Sequence, residues 1–509
     1  MRKNNKLLAV ILGYVNIIIH NLSTLILTPT MILAWGGSSY GLYKVILSLL
    51  TYFMLIDSGI RSTVIRFVSE YQSKQDKAGE RRYIGIVVLY YLFAALLLTA
   101  IVFVFSLFVP QIYANSLSPE EIEVMLSALP LLLISTISAL FFNSFSALLK
   151  GHNLQAVVQL INVIRAVLRF VVLLFMLKLG FGVTETIFAE TTIAVVFAAL
   201  VLLYVFAVIK LPPLFRGIDK TFVKSIVSFT SVMLVYTMST SLFWSVGSFL
   251  VGVMTSTLLA AVYTTAITLS NMFQSLSGII SQVLVPDIMR KSFTAEDMSE
   301  MNSMMVRIAR IKMPVMLLIV LGFALFGSEF VLLWVGQGYQ GTYIIALMLM
   351  VPVLLGLLQD VPNNYILAKN KHKVLSNVTI IGCVINIGMS VLLTHFWGIY
   401  GAAFGTLITY LLINVVFTYW YYTKTFGFDM KKLYIETILK NTHYILFLIA
   451  CGVAINFIPF GSLLGTAGIW GWIGFLLKVV LFTGIFLVVY LLGMADQDTK
   501  KKIKKLIGR

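Results

Sequence analysis

Apolar runs of about 20 residues or more recur along the whole chain, at 7–34, 42–66, 83–109, 122–149, 154–179, 186–209 and 225–251. They continue at 257–285, 311–335, 343–368, 374–396, 401–423, 441–460 and 471–493. A helix of that length crosses the hydrocarbon core of a bilayer, whereas a helix on a soluble domain shows only an apolar stripe. The runs are continuous and do not alternate, which excludes a transmembrane β-barrel. The pattern predicts an all-α polytopic membrane protein of about fourteen transmembrane helices.

Composition agrees. Of 509 residues, 60% are apolar and 11% charged, against about 25% charged in a soluble domain, and mean hydropathy is +0.97. A soluble enzyme, a disordered chain and a secreted disulfide scaffold are excluded. The net charge of +17 would suggest nucleic acid in a soluble chain, but the basic residues sit between the apolar runs, so no nucleic-acid partner is expected. They cluster at Arg2, Lys3 and Lys6; Lys74 to Arg82; Lys150; Lys210 to Lys224; Arg290 to Lys312; Lys369 to Lys373; Lys424 to Lys440; and Lys500 to Arg509. Those are the termini and every second loop, so the positive-inside rule places both termini in the cytoplasm. The first run is too long for a signal peptide and reads as a retained span. Cys383 and Cys451 lie within apolar runs, so no disulfide is expected. There is no phosphate-binding Gly-x-x-x-x-Gly-Lys loop, no His-Glu-x-x-His, and no clustered metal-ligand spacing, and the outward loops are short. No cofactor, no metal and no enzymatic activity are expected.

A weak internal repeat divides the chain. Gly41-Leu-Tyr43 opens the second span as Ala261-Val-Tyr263 opens the eighth, and aligning Gly180 with Gly401 after the fifth and eleventh spans gives nearly the same offset, 221. An offset of six spans preserves orientation, which implies two pseudo-symmetric six-helix lobes around a central cavity that can open to either side. The expected organisation is an N-lobe at 1–210, a cytoplasmic linker at 211–224 and a C-lobe at 225–423. A cytoplasmic loop at 424–440, two C-terminal helices at 441–493 and a basic tail at 494–509 complete it.

Ionisable side chains inside spans are costly and by default mark a lined cavity or a path. In the fifth span Asn162, Arg165 and Arg169 share one helix face. Two guanidinium forks there suit a diphosphate or carboxylate; the competing structural reading is an ion pair with an acid on a neighbouring helix. Asn386 and Ser390 stand at the equivalent repeat positions, so the charge belongs to one lobe. Asp57 and Arg61, at i and i+4, read as a structural pair anchoring a helix end beside Gly59. Asp360, beside Gln359 and between Pro352 and Pro362, is a candidate for ion coupling in a helix that can bend, and His20 in the first span is a second candidate. Asn271 and Gln274 share a face of the eighth span, where they bind sugar hydroxyls or hold helices together. Lys478, deep in the last span, faces either the cavity or a lipid groove.

The segments Trp35-Gly-Gly-Ser-Ser-Tyr-Gly-Leu-Tyr43, Ile56-Asp-Ser-Gly-Ile60 and Arg66-Phe-Val-Ser-Glu70 resemble the signature of the polysaccharide transport family. That family belongs to the multidrug/oligosaccharidyl-lipid/polysaccharide (MOP) exporter superfamily. Leu149-Lys-Gly-His152, Trp334-Val-Gly336 and Ala368-Lys-Asn-Lys371 are similar to further family stretches. The resemblance implies a Wzx-type flippase fold, two lobes around a hydrophilic cavity with basic lining, in a bacterial cytoplasmic membrane. It implies a polyprenyl-diphosphate-linked oligosaccharide as substrate, moved from inner to outer leaflet for O-antigen, capsule or exopolysaccharide synthesis. The other partners would be membrane lipids and a polysaccharide polymerase with its chain-length regulator. A lipid II flippase, a cation-coupled drug exporter and, from another class, a membrane polymerase or glycosyltransferase stay open as alternatives.

Overall fold

The computed structural model describes residues 2–57, 60–114, 116–152, 154–208, 210, 212–215, 220–294, 297–369, 371, 373–458 and 468–494. Its helices are α1 (Arg2–Phe53), α2 (Ile60–Lys74), α3 (Lys77–Ile112), α4 (Pro119–Gly151), α5 (Gln155–Lys178), α6 (Val183–Val208), α7 (Lys220–Met254) and α8 (Thr257–Thr294). They continue as α9 (Met298–Val335), α10 (Gln340–Leu357), α11 (Asp360–Ala368), α12 (Lys373–Leu411), α13 (Thr418–Phe426), α14 (Met430–Thr437), α15 (Thr442–Asn456) and α16 (Gly468–Val489). No strand occurs among the described residues. The protein is an all-α, multi-pass membrane protein.

Eleven stretches among the described residues are long and apolar enough to cross a bilayer. Two of them are double passes. Ile11–Phe53 has 43 residues, about 65 Å of helix against a hydrocarbon core of about 30 Å. It bends at Gly36, whose φ of 80° and ψ of 168° are not helical. Lys373–Phe426 bends likewise at Gly398, φ 55° and ψ −136°. With these counted twice and α8 added, the crossings match the apolar runs one for one. Two expected runs are interrupted. The second gives way to a 3-10 turn at Met54–Asp57 before the more polar α2. The tenth breaks between α10 and α11 at Leu358 and Gln359, because Pro362 has no N–H to return to the Leu358 carbonyl.

Polar loop residues set several helix starts. Ser118 and Glu121 form a reciprocal capping box at α4, Asp76 caps α3 and Asp297 caps α9. Each satisfies backbone N–H groups that the first turn leaves without partners. Long apolar side chains such as Leu92, Phe93, Leu96, Phe103 and Phe108 of α3 are exposed, as required of a surface whose solvent is lipid.

The chain forms two compact units, Met1–Thr264 with Thr379–Ala402, and Thr265–Val378 with Ala403–Arg509. These differ from the expected lobes at 1–210 and 225–423, since α7 and the middle of α12 count with the first unit. Backbone acceptors explain why. Tyr52 of α1 donates to the Ser245 carbonyl of α7 at 3.0 Å, and Asn386 of α12 donates to Phe243 at 2.8 Å. At the start of α8, a Cβ on Gly41 would lie 1.9 Å from the Thr257 carbonyl oxygen, so α1 approaches α8 as closely as only glycine allows. Ser38 bridges the same end, 2.6 Å from the Thr257 hydroxyl and 2.7 Å from Glu121. In the second unit α9 is the central helix, packed by α10, α11, α14, α15 and α16.

Candidate functional site: a charged cluster on α5

On α5 the exposed apolar residues Leu160, Ile164, Val167, Leu168, Val171 and Phe175 mark the lipid face. At 100° per residue they centre about 140° away from Asn162, Arg165 and Arg169. The two guanidinium groups therefore point inward, away from acyl chains. Their environments differ. Arg169 gives its Nε to Glu190 Oε1 at 2.9 Å and pairs with the same oxygen through Nη2. Tyr43, from the Gly-Leu-Tyr motif, donates its hydroxyl to that oxygen at 3.1 Å. Trp35 packs edge-on to Tyr43 and donates to the Phe181 carbonyl at 2.8 Å, which fixes the motif against the end of α5. The structural reading of Arg169, an ion pair with a neighbouring helix, is thus realised, with Glu190 of α6 as partner.

Arg165 has no such counter-ion. Its Cζ lies 4.8 Å from the centroid of Phe142 on α4, an arrangement that holds a cation without neutralising it. Among the described residues it makes no ion pair. His20 lies beside Arg169 and Lys44. Two arginines and one glutamate leave the cluster with a net positive charge, and Arg165 is its arginine without a hydrogen-bonded carboxylate.

The Asp57 motif is a buried network. Asp57 is 0% exposed and accepts from Tyr91 at 2.6 Å, Asn143 at 3.0 Å and Arg61 at 3.1 Å. The i, i+4 pair expected from sequence is present, and two further helices contribute to it. Gly59 lies outside the described residues. A second buried acid, Glu80, pairs with His152 at 2.5 Å and accepts from the Gln72 amide at 2.9 Å.

In the second unit Asp360, at the first turn of α11, pairs with Lys312 of α9. Lys312 had been grouped with loop charges, yet it is 1% exposed, because α9 begins at Met298 and carries it into the helical core. Lys478 of α16 pairs with Glu329 of α9 at 2.7 Å, so its ammonium is engaged against α9. Lys312 and Glu329 lie 17 positions apart, about 25 Å along α9, so the two pairs are separate. Asn271 is exposed and Gln274 half-buried, with the Gln274 Nε2 buried and lacking a hydrogen-bond partner. A cavity of about 340 Å³ between α9 and α16 is lined by Phe323, Phe326, Phe330, Phe475 and Phe482 and by no charged residue, so it offers nothing to an ionic group.

The second repeat is neutral where the first is charged. Asn386 donates to the Phe243 carbonyl, and Ser390 donates to the Asn386 side chain at 3.1 Å. The left-handed glycines that end α5 and break α12 are Gly180 and Gly398, an offset of 218 where sequence alignment gave 221. Three residues are nearly one helical turn, so the shared face is kept. Sequence reading overlooked Glu190, Lys312 and Glu329. Glu190 carried a signal, as the one carboxylate in the apolar run of α6.

The family model for polysaccharide biosynthesis proteins matches residues 9–292, more than half of the chain. No curated protein matches by sequence. Among solved structures, the lipid II flippase MurJ in an inward closed conformation superposes with a TM-score of 0.67 at 13% identity, covering 99% of this chain and 100% of that one. An inward-facing multidrug resistance MATE transporter of the MOP superfamily gives 0.64 at 16% identity, covering 81% and 97%. A MOP transporter from Pyrococcus furiosus, described as having a binding pocket of reverse polarity, gives 0.52 at 15% identity, covering 82% and 95%. At these identities the likeness is one of fold, and with the sequence match it carries the assignment: the chain belongs to the polysaccharide biosynthesis protein family and has the fold of the MOP superfamily.

Proposed function

We propose that the protein is a flippase that carries undecaprenyl-diphosphate-linked oligosaccharide units across the bacterial cytoplasmic membrane by alternating access, for O-antigen, capsule or exopolysaccharide synthesis. Both termini face the cytoplasm in this reading, as the basic loops require. The observation that carries it is Arg165: a half-buried guanidinium facing inward, held over Phe142 and with no carboxylate at ion-pair distance among the described residues. A diphosphate head needs a fixed positive charge that does not vary with pH, and a planar fork matches its oxygens. Arg169, compensated by Glu190, sets the edge of the site, and Asn162 on the same face offers hydrogen bonds to phosphate or sugar. The polyprenyl tail stays in lipid throughout.

The drug-exporter alternative needs a buried carboxylate with no internal cation. Glu190 and Asp57 are the acids nearest that description in the first unit, and arginines hold both. A lipid II flippase shares the diphosphate chemistry and differs only in the sugar. The test is complementation of a strain lacking the gene. Arg165→Ala is expected to abolish surface polysaccharide and accumulate lipid-linked units on the inner leaflet, with normal protein level. Arg165→Lys is expected to restore only part, since an ammonium lacks the fork. Full complementation by Arg165→Ala refutes the reading, and rescue of peptidoglycan synthesis alone shifts it to lipid II.

A further inference from the structure

The second unit buries a complete ammonium group. The Lys312 Nζ has three protons and three oxygen partners: the Ser281 hydroxyl at 2.7 Å, the Leu357 carbonyl at 2.8 Å, and the Asp360 carboxylate. Lys312 is 1% exposed, so each proton is used inside the protein and none is left to water. The cage is placed where a continuous helix is interrupted. Leu357 is the last residue of α10, and its carbonyl accepts from the Lys312 Nζ where the chain breaks before α11. Asp360 opens α11. A hydroxyl, a helix-terminal carbonyl and a carboxylate are the oxygen set that binds an alkali cation at a broken membrane helix, and an ammonium ion is close to potassium in size and charge.

We propose that Lys312 is a tethered stand-in for a monovalent metal cation: its Nζ fills an alkali-type oxygen cage at the α10–α11 break, so this site takes no Na+ or K+ while the lysine is present. A simple ion pair needs only the carboxylate. Here the carbonyl at the end of α10 and the hydroxyl of α8 also accept from the nitrogen, which is the arrangement expected when the charge at the centre has replaced a coordinated ion. Buried lysine and aspartate neutralise one another, and the break keeps its C-terminal carbonyl satisfied without any solute. The proposal goes beyond the flippase reading and does not depend on it.

The test uses the purified full-length chain in detergent, with melting midpoints measured in NaCl, KCl or choline chloride at equal ionic strength. The variants are Lys312→Met, which keeps bulk and empties the cage, and Lys312→Met with Asp360→Asn, which removes the cage's charge as well. In Lys312→Met the midpoint is expected to rise saturably, by several degrees, with Na+ or K+ relative to choline. Wild type and the double variant are expected to show a smaller and mutually equal response. The proposal is overturned if Lys312→Met responds no more than wild type, or if the double variant keeps the gained response. Should Lys312→Met be recoverable only in Na+ or K+ buffers, the proposal stands. Failure to recover it in any of the three salts, while the double variant folds, also overturns it, since no alkali ion then replaces the ammonium.

Discussion

Glu190→Gln isolates what the Arg169 counter-ion does. Glutamine keeps the shape and an acceptor oxygen for Arg169 Nε, and removes one negative charge from a side chain that is 14% exposed. A diphosphate oxygen bound to the same guanidinium would stand about 5 Å from the Glu190 carboxylate, a repulsion of about 3 kcal/mol at an effective dielectric of 20. Arg169 is 35% exposed, so solvent reduces this to about 1–2 kcal/mol. Glu190→Gln is therefore expected to bind a short polyprenyl diphosphate roughly ten-fold more tightly, read by isothermal titration with farnesyl diphosphate on the detergent-purified protein. Arg165→Ala is expected to weaken the same binding. Arg169→Ala with Glu190→Gln is expected to return close to wild type, because one cation and one anion leave together. Higher salt should shrink all three differences. Unchanged or weaker binding by Glu190→Gln would refute the reasoning: the pair would then be a helix clamp that no anion approaches.

Two further substitutions probe the frame that holds this cluster. Asp57→Ala strands the Tyr91 hydroxyl and the Asn143 amide and is expected to cost about 2–4 kcal/mol, whereas Arg61→Ala, whose side chain is 55% exposed, should cost less than about 1 kcal/mol. Equal losses in thermal denaturation would show that the ion pair, and not the hydrogen-bond network, carries the stability. Gly41→Ala puts a methyl 1.9 Å from the Thr257 carbonyl oxygen, against backbone that cannot rotate away. A loss of about 1–3 kcal/mol is expected, and a variant that melts normally would contradict the close approach of α1 to α8.

The fold was legible because lipid demands uninterrupted apolar length, and fourteen such runs are visible without any knowledge of packing. Turns were less so. A Trp-Gly-Gly stretch suggests a loop around residue 36, while the helix continues on both sides of a single non-helical residue. The cations of α5 stood out because arginine inside an apolar run has no ordinary explanation. Their partners did not, since periodicity gives the face of a helix and not its register against the next. Lys312 shows a second limit. It follows Arg307 and Arg310 at the edge of an apolar run, and a helix that starts well before that run is indistinguishable in sequence from a charged loop. Its partner lies 48 residues away, a separation that no local pattern reports.

The bend at Gly36 has its own logic. Nothing lies within 4 Å of where a side chain would begin at that residue, and the same holds at Gly398. Space is therefore not what selects glycine at these two corners; handedness is. An L-residue pays for a positive φ with about 1–2 kcal/mol, while its mirror image would settle there at ease, so D-alanine installed by chemical ligation should be accepted where L-alanine is not. Each corner needs only a torsion that one residue can adopt, and at Gly36 the hydrogen bonds of Trp35 and Ser38 hold the chain on either side of it.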